Sequence, residues 1–257
     1  MNGKIFRFLS SLSGLAALVG VWAAIHAAYG PLVLPRPDLA VRELLSLFVS
    51  GEAQQALKAT LLHSLAGWAT GSLLGFLLAL LAGFWPLAGL ALRPVATVLL
   101  GTPPIAWLVL AALWFGANGF DAGFTVAVVI LPIVFVAALQ GLDARDPLLD
   151  EMAAGFSAPT WLRFTDILAP QMLAYLLPAA ATALGMALKV CVMSEVMASG
   201  TGIGGRLAAA RSNLDLTEAL AWILLVIALV LGLDLIFVAP FRRLFRDVRA
   251  PGGSEPC

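Results

Sequence analysis

Long apolar runs, each closed by a short polar break, set the pattern of this chain. They cover about residues 8–29, 61–84, 95–115, 122–142, 172–198 and 219–239. Each matches the roughly 20 residues a helix needs to cross the hydrocarbon core of a bilayer. The strand-like alternation of an outer-membrane barrel is absent. The expected fold class is therefore an all-α integral membrane protein with six transmembrane helices and both termini on one side. No polar stretch is long enough to fold on its own, so residues 1–257 are expected to form a single domain.

Local patterns refine these spans. Gly67, Gly71, Gly75, Ala79 and Gly83 recur every four residues in the second span, a small-residue stripe against which another helix can pack closely. Pro103 and Pro104 follow Gly101 in the third span, and two lost backbone donors predict a kink or break there. Between the first two spans, Val41, Leu44, Leu45 and Phe48 fall at helical spacing opposite Arg42, Glu43 and Ser46, which predicts a short amphipathic helix on the membrane interface.

Composition fits a lipid-solvated chain: 61% of residues are apolar and 12% charged, against about a quarter charged in soluble domains. With 15 basic and 15 acidic residues there is no polybasic surface to suggest a nucleic-acid partner. Basic residues instead set orientation. Lys4, Arg7, Arg93, Arg145, Arg163, Arg242, Arg243, Arg246 and Arg249 fall on one side; Arg36, Arg42, Lys58, Arg206 and Arg211 fall on the other. The positive-inside bias predicts cytoplasmic termini. The cysteines, Cys191 in an apolar run and Cys257 at the end, offer neither a disulfide framework nor a metal cluster by spacing. No phosphate-binding loop or nucleophile constellation is present, so no catalytic residue is expected.

Ionisable residues inside spans are costly and are functional candidates by default. Lys189 and Glu195 lie in the fifth span and Asp234 in the sixth. Six positions separate Lys189 from Glu195, about 9 Å along the axis and 120° around it, so they cannot pair within one straight helix. Lys189 either pairs with a carboxylate such as Asp234 or lines a translocation path. His26 and His63 read as packing or interfacial residues. Gly200, Gly202, Gly204 and Gly205 suggest either a flexible loop at the outer surface or simple helix termination.

The connection from Asp143 to Pro170, 28 residues long, is the longest expected on the cytoplasmic side. After Pro147, the residues Leu148, Leu149, Met152, Phe156 and Trp161 alternate with acidic and small ones, implying a short helix with exposed apolar surface. This stretch resembles the Glu-Ala-Ala loop of ABC importer permeases: Glu151, Ala153 and Pro170 match in place, Met152 stands at an alanine position, and Ser157 stands at the glycine position, with Gly155 two residues earlier. Leu34-Pro-Arg-Pro37, Thr102-Pro-Pro-Ile-Ala-Trp107 with Leu113-Trp-Phe-Gly116, and Ser194-Glu-Val-Met-Ala-Ser-Gly-Thr-Gly-Ile-Gly204 are similar to signatures of the nitrate/taurine/sulfonate/bicarbonate branch. Gly67 departs from the branch, which often has an arginine there.

The resemblance implies a type I ABC importer permease fold with a cytoplasmic coupling helix between helices 4 and 5. In that reading Glu151, Ala153, Ala154, Gly155, Ser157 and Pro170 form the coupling site, Lys189, Glu195 and Asp234 are pathway or intramembrane polar residues, and Gly200, Gly202 and Gly204 form a periplasmic gate loop. Glu195 matches the branch's glutamate, which favours an inter-helix bond over substrate contact. The implied partners are a second copy of the chain, two ATP-binding subunits that hold ATP and Mg, a periplasmic solute-binding protein and membrane lipid. The chain itself would need no cofactor, would lie in the bacterial inner membrane and would carry a small, anionic solute. The alternative is a secondary transporter driven by an ion gradient, with Lys189, Glu195 and Asp234 as its relay.

Overall fold

A computed structural model describes the backbone of residues 2–238 apart from 32 and 117, and side chains apart from 2–12, 15, 150, 154, 199, 237 and 238 within that range. Cys257, the basic residues Arg242, Arg243, Arg246 and Arg249, and the last residue of the sixth span lie outside the described residues, as do the side chains of Lys4, Arg7 and Ala154. The described chain is helical throughout, with no strand.

The helices are α1 (Asn2–Tyr29), α2 (Pro37–Val49), α3 (Glu52–Phe84), α4 (Pro86–Gly101), α5 (Pro104–Phe115), α6 (Phe120–Asp143) and α7 (Pro147–Gly155). Then come α8 (Thr160–Ala198), α9 (Gly202–Ser212) and α10 (Leu216–Ile236). By length and composition α3, α6, α8 and α10 can each cross a membrane, and α4 with α5, bent by 94°, makes a fifth if the pair is counted as one broken span. The bend falls at Pro103–Pro104, as the missing donors predict. The run 95–115 is thus parts of two helices rather than one straight span. In α1, which would be the sixth, the described apolar part is Ala16–Tyr29.

Helices α3 and α6 form the most extensive interface, and the glycine stripe is its cause. A Cβ at Gly67 would sit 2.5 Å from the Gly123 carbonyl oxygen, and one at Gly71 2.5 Å from that of Ala127. Gly75 abuts the Leu131 carbonyl, and Gly83 lies against Leu142. The contacts advance together along both helices, so α3 and α6 run parallel and α4–α5 must carry the chain back between them. Helix α8 runs the other way: Gly141 of α6 meets Met172, Trp68 Nε1 donates to the Ala180 carbonyl at 3.0 Å, and Thr60 reaches Glu195.

Two apolar clusters fill the middle and the α7 end, around Val126, Ile130, Ala187 and Val190, and around Phe135, Leu139 and Met172. A third sits at the α9 end, where Trp222 and Ile203 pack with Leu47. Helix α2 joins this last cluster through Leu44 and Leu47. Its expected apolar face is therefore divided, because Val41, Leu45 and Phe48 stay exposed on the other side. Trp22 Nε1 donates to the Pro35 carbonyl at 2.9 Å and His26 meets the Leu34 carbonyl at 2.7 Å, tying α1 to the Leu-Pro-Arg-Pro segment.

Candidate functional site

Three regions carry the sequence candidates: the α7 segment, an exposed face of α8, and a buried polar cluster where α3, α8 and α9 meet. Helix α7 starts where Pro147 needs no donor and Asp146 accepts from the Leu148 amide at 2.9 Å. It ends in a left-handed residue, Ser157 at φ 52°, with the Ala158 amide bonded to the Ala153 carbonyl at 2.9 Å and Phe156 to Met152 at 3.1 Å. This six-to-one closure normally has glycine at the left-handed position. The position where the resemblance calls for glycine thus has a conformation that favours glycine, although serine occupies it.

Arg163 Nε donates to the Ala158 carbonyl at 3.0 Å and its Nη2 to Ala153 at 3.4 Å, holding the end of α7 against the start of α8. Ala153 is buried, so its small size serves packing within the chain rather than an outer docking face. Gly155 is exposed and a Cβ there would meet nothing within 4 Å. Glu151 and Pro170 are exposed. Around them the surface is strongly apolar: Phe156 is 83% exposed, Leu148 72% and Trp161 65%, with Met152 also open.

On α8, Thr182, Met186, Lys189, Met193 and Met197 form one exposed stripe, while Ala183, Ala187, Val190 and Cys191 face the core. Lys189 makes no ion pair among the described residues, and neither does Asp234, which is exposed on α10. The Lys189–Asp234 pairing considered from sequence is absent. Asp234 lies 12 residues past Trp222, about 18 Å further from the α9 end, whereas Lys189 is within about two turns of that end.

Glu195 is fully buried. Its Oε2 accepts from the Thr60 hydroxyl at 2.7 Å and the Gly204 amide at 3.1 Å; its Oε1 faces His63 Nδ1 at 3.0 Å. Thr60 also accepts from the Ile203 amide at 2.9 Å, so one carboxylate and one hydroxyl join three helices. His63 was expected to be a packing or interfacial residue. It lies one helical turn before Gly67, on the face that meets α6 and α8, and its ring borders Gly119 and a cleft of about 680 Å³ beside α6.

The glycines after Glu195 do not form an open loop. Gly200 turns the chain at φ 59°, but Gly202 begins α9 and Gly204 lies within it. A Cβ at Gly204 would meet Glu195 Cβ at 2.5 Å and the Val196 amide nitrogen at 2.8 Å, and one at Gly202 would collide with the Glu195 carboxyl. Close packing on Glu195 is what their size permits. No single-sequence signal links His63 to Glu195, which are 132 residues apart.

Comparison with known proteins gives the family and the fold. Residues 71–250 match the family described as binding-protein-dependent transport system inner membrane component. The chain is 25% identical to the taurine transport system permease protein TauC of Escherichia coli over 91% of this chain and 88% of TauC. It is 25% identical to a protein named for aliphatic sulfonate transport, the permease SsuC of Bacillus subtilis, over 86% of this chain and 81% of SsuC. It is also 25% identical to the nitrate import permease protein NrtB of Synechococcus elongatus over 79% and 76% of the two chains. Among solved structures, an amino acid ABC transporter aligns with TM-score 0.60 at 20% identity, covering 82% of this chain and 96% of that one. The inward-facing MetNI methionine ABC transporter aligns at TM-score 0.58 and 19% identity, over 80% and 98%. The fold is that of a type I importer permease, and the chain belongs to the family of inner membrane components of binding-protein-dependent transport systems, as a non-enzymatic, multi-pass permease of the sulfonate, taurine and nitrate branch.

Proposed function

We propose that two copies of this permease enclose a translocation pathway in the bacterial inner membrane, six spans each with both termini cytoplasmic. A periplasmic binding protein delivers a small anionic solute, and two ATP-binding subunits, holding ATP and Mg, engage the α7 segments. The observation that carries this reading is the apolar surface of α7. Leu148 on α7, Phe156 just past its end and Trp161 at the start of α8 are exposed at one end of the bundle, where apolar area of this kind marks a protein or membrane contact. Glu151, Ala154, Gly155 and Ser157 lie on or beside that helix, with Ala153 packed beneath it and Pro170 at the following turn.

Closure of the ATP-binding subunits would then move α7, and through Arg163 the start of α8, so that access alternates between the two sides. The exposed stripe around Lys189 supports the anionic solute. A lysine facing lipid near the middle of a span costs about 3 kcal/mol, so the stripe is best placed against water or a partner. Glu195 serves as the buried tie between α3, α8 and α9 rather than as a solute contact.

The test is reconstitution in proteoliposomes with the cognate ATP-binding subunits and binding protein. ATP-dependent uptake, with hydrolysis stimulated by the loaded binding protein, is expected. Uptake by the permease alone under an ion gradient would refute this reading.

A further inference from the structure

The buried cluster around Glu195 holds more than hydrogen bonds. Its carboxylate is divided in function: Oε2 is occupied by the Thr60 hydroxyl and the Gly204 amide, while Oε1 faces two ligand-type atoms, His63 Nδ1 at 3.0 Å and Cys191 Sγ at 3.7 Å. These three donors lie within 4.8 Å of one another. We propose that His63, Cys191 and Glu195 form a binding site for a thiophilic divalent cation of the zinc type, clamping α3 to α8 beneath α9.

Geometry supports the site. Bonds of about 2.0–2.3 Å to nitrogen, oxygen and sulfur imply donor separations of about 3.3–3.7 Å around a tetrahedral ion. The Nδ1–Oε1 and Sγ–Oε1 distances of 3.0 and 3.7 Å bracket that range, and with all three donors within 4.8 Å loading draws the imidazole and the thiol together by no more than about 1 Å. The bonds from Thr60 and Gly204 to Oε2 fix the carboxylate plane and leave Oε1 turned toward the imidazole and the thiol, the role outer partners take around a metal ligand.

Charge supports it too. Among the described residues no lysine or arginine pairs with Glu195; its one ionic partner is His63. A dication with one carboxylate, one thiolate and one neutral imidazole sums to zero, the arrangement under which buried charge is least costly. Binding releases the thiol proton and moves the imidazole proton from Nδ1 to Nε2, so that Nδ1 and Sγ exchange their bonds to Oε1 for bonds to the ion. A thiolate and an imidazole beside a single carboxylate select a zinc-type ion over magnesium or calcium, which prefer all-oxygen sets. His63 borders the cleft beside α6 and is half-buried, so it is the ligand that lies nearest the outside of the bundle. Spacing along the chain could not reveal this site, because one ligand comes from α3 and two from a distant helix.

The test uses the full chain purified in detergent with any affinity tag removed, titrated with Co2+ and then with Zn2+. Expected are one Co2+ per chain, a thiolate-to-cobalt absorption in the near ultraviolet, and displacement by one equivalent of Zn2+. Cys257→Ser leaves Cys191 as the sole thiol and should keep the band. Cys191→Ala should lose it, and His63→Ala should bind at least about tenfold more weakly. Gel filtration checks that each variant is folded; if Cys191→Ala is not, the band of the Cys257→Ser chain decides alone. Absence of the thiolate band from the Cys257→Ser chain, or equally tight Co2+ binding by folded Cys191→Ala, would overturn the assignment.

Discussion

Gly155→Trp separates docking from folding at the α7 surface. The position is exposed, and a Cβ there has no neighbour within 4 Å, so the isolated permease can accept the larger side chain. Replacing a helical glycine even recovers about 0.5 kcal/mol of helix propensity. Against a partner the sign reverses. An indole inserted into a packed contact beside Phe156 and Met152 should cost about 1–3 kcal/mol, as overpacking does in cores, which weakens binding roughly 5- to 150-fold. The assay pairs thermal melting of the purified permease with retention of the ATP-binding subunits during purification and with ATP-dependent uptake. An unchanged melting midpoint with lost subunits or uncoupled hydrolysis is expected, and Gly155→Ala should behave like wild type in all three. If Gly155→Trp retains its subunits and transports normally, α7 is not the docking surface.

The remaining predictions concern the backbone, the pathway and the helix interface. Ser157→Gly should relieve a left-handed strain of about 1 kcal/mol and slow amide hydrogen exchange at Ala158, whose N–H closes α7; faster exchange would show that serine is not strained there. Cysteines placed at Met186 and Met193, one turn either side of Lys189, should react with an anionic membrane-impermeant thiosulfonate about threefold faster than in a Lys189→Met background, from roughly 0.7 kcal/mol of attraction at about 6 Å in water. Failure of both to react in any state of the transport cycle would place that face against lipid. Gly67→Arg, although it restores the residue common in the related branch, should destabilise the bundle, since its Cβ would lie 2.5 Å from the Gly123 carbonyl and 2.6 Å from Val126 Cβ; a wild-type melting curve would refute the close α3–α6 packing.

The features that were legible in the sequence share one physical property: a local cause is sufficient for each. A run of some 20 apolar residues needs no partner to declare a membrane helix. Pro103 and Pro104 break the hydrogen-bond ladder wherever the rest of the chain lies. The glycine period of four in α3 states that something packs closely, although only the structure identifies the carbonyls of Gly123, Ala127 and Leu131 as what it meets. Helix limits were less visible. Helix α3 begins at Glu52, nine residues before its apolar run, because Gln54, Gln55 and Lys58 are good helix formers that hydropathy does not register.

What the sequence hid is pairing between distant segments, and there a motif's departures inform better than its matches. Two glycine positions illustrate this. At Ser157 the loop resemblance calls for glycine, and the backbone there is left-handed although the side chain is serine, so the α7 closure forms without the residue that makes it easiest. At Gly67, where the resemblance would often place an arginine, a larger side chain has no room, and among the described residues the basic side chain that pairs with Glu195 is His63, a helical turn earlier. An imidazole is a weaker and conditional cation than a guanidinium. Four neighbours that hold the carboxylate in place, Thr60, Cys191, Gly204 and His63 itself, therefore matter more in this chain than a single permanent ion pair would. The tie between α3, α8 and α9 is thus spread over several polar contacts, and that is the arrangement in which one small ion can change how firmly the helices are held.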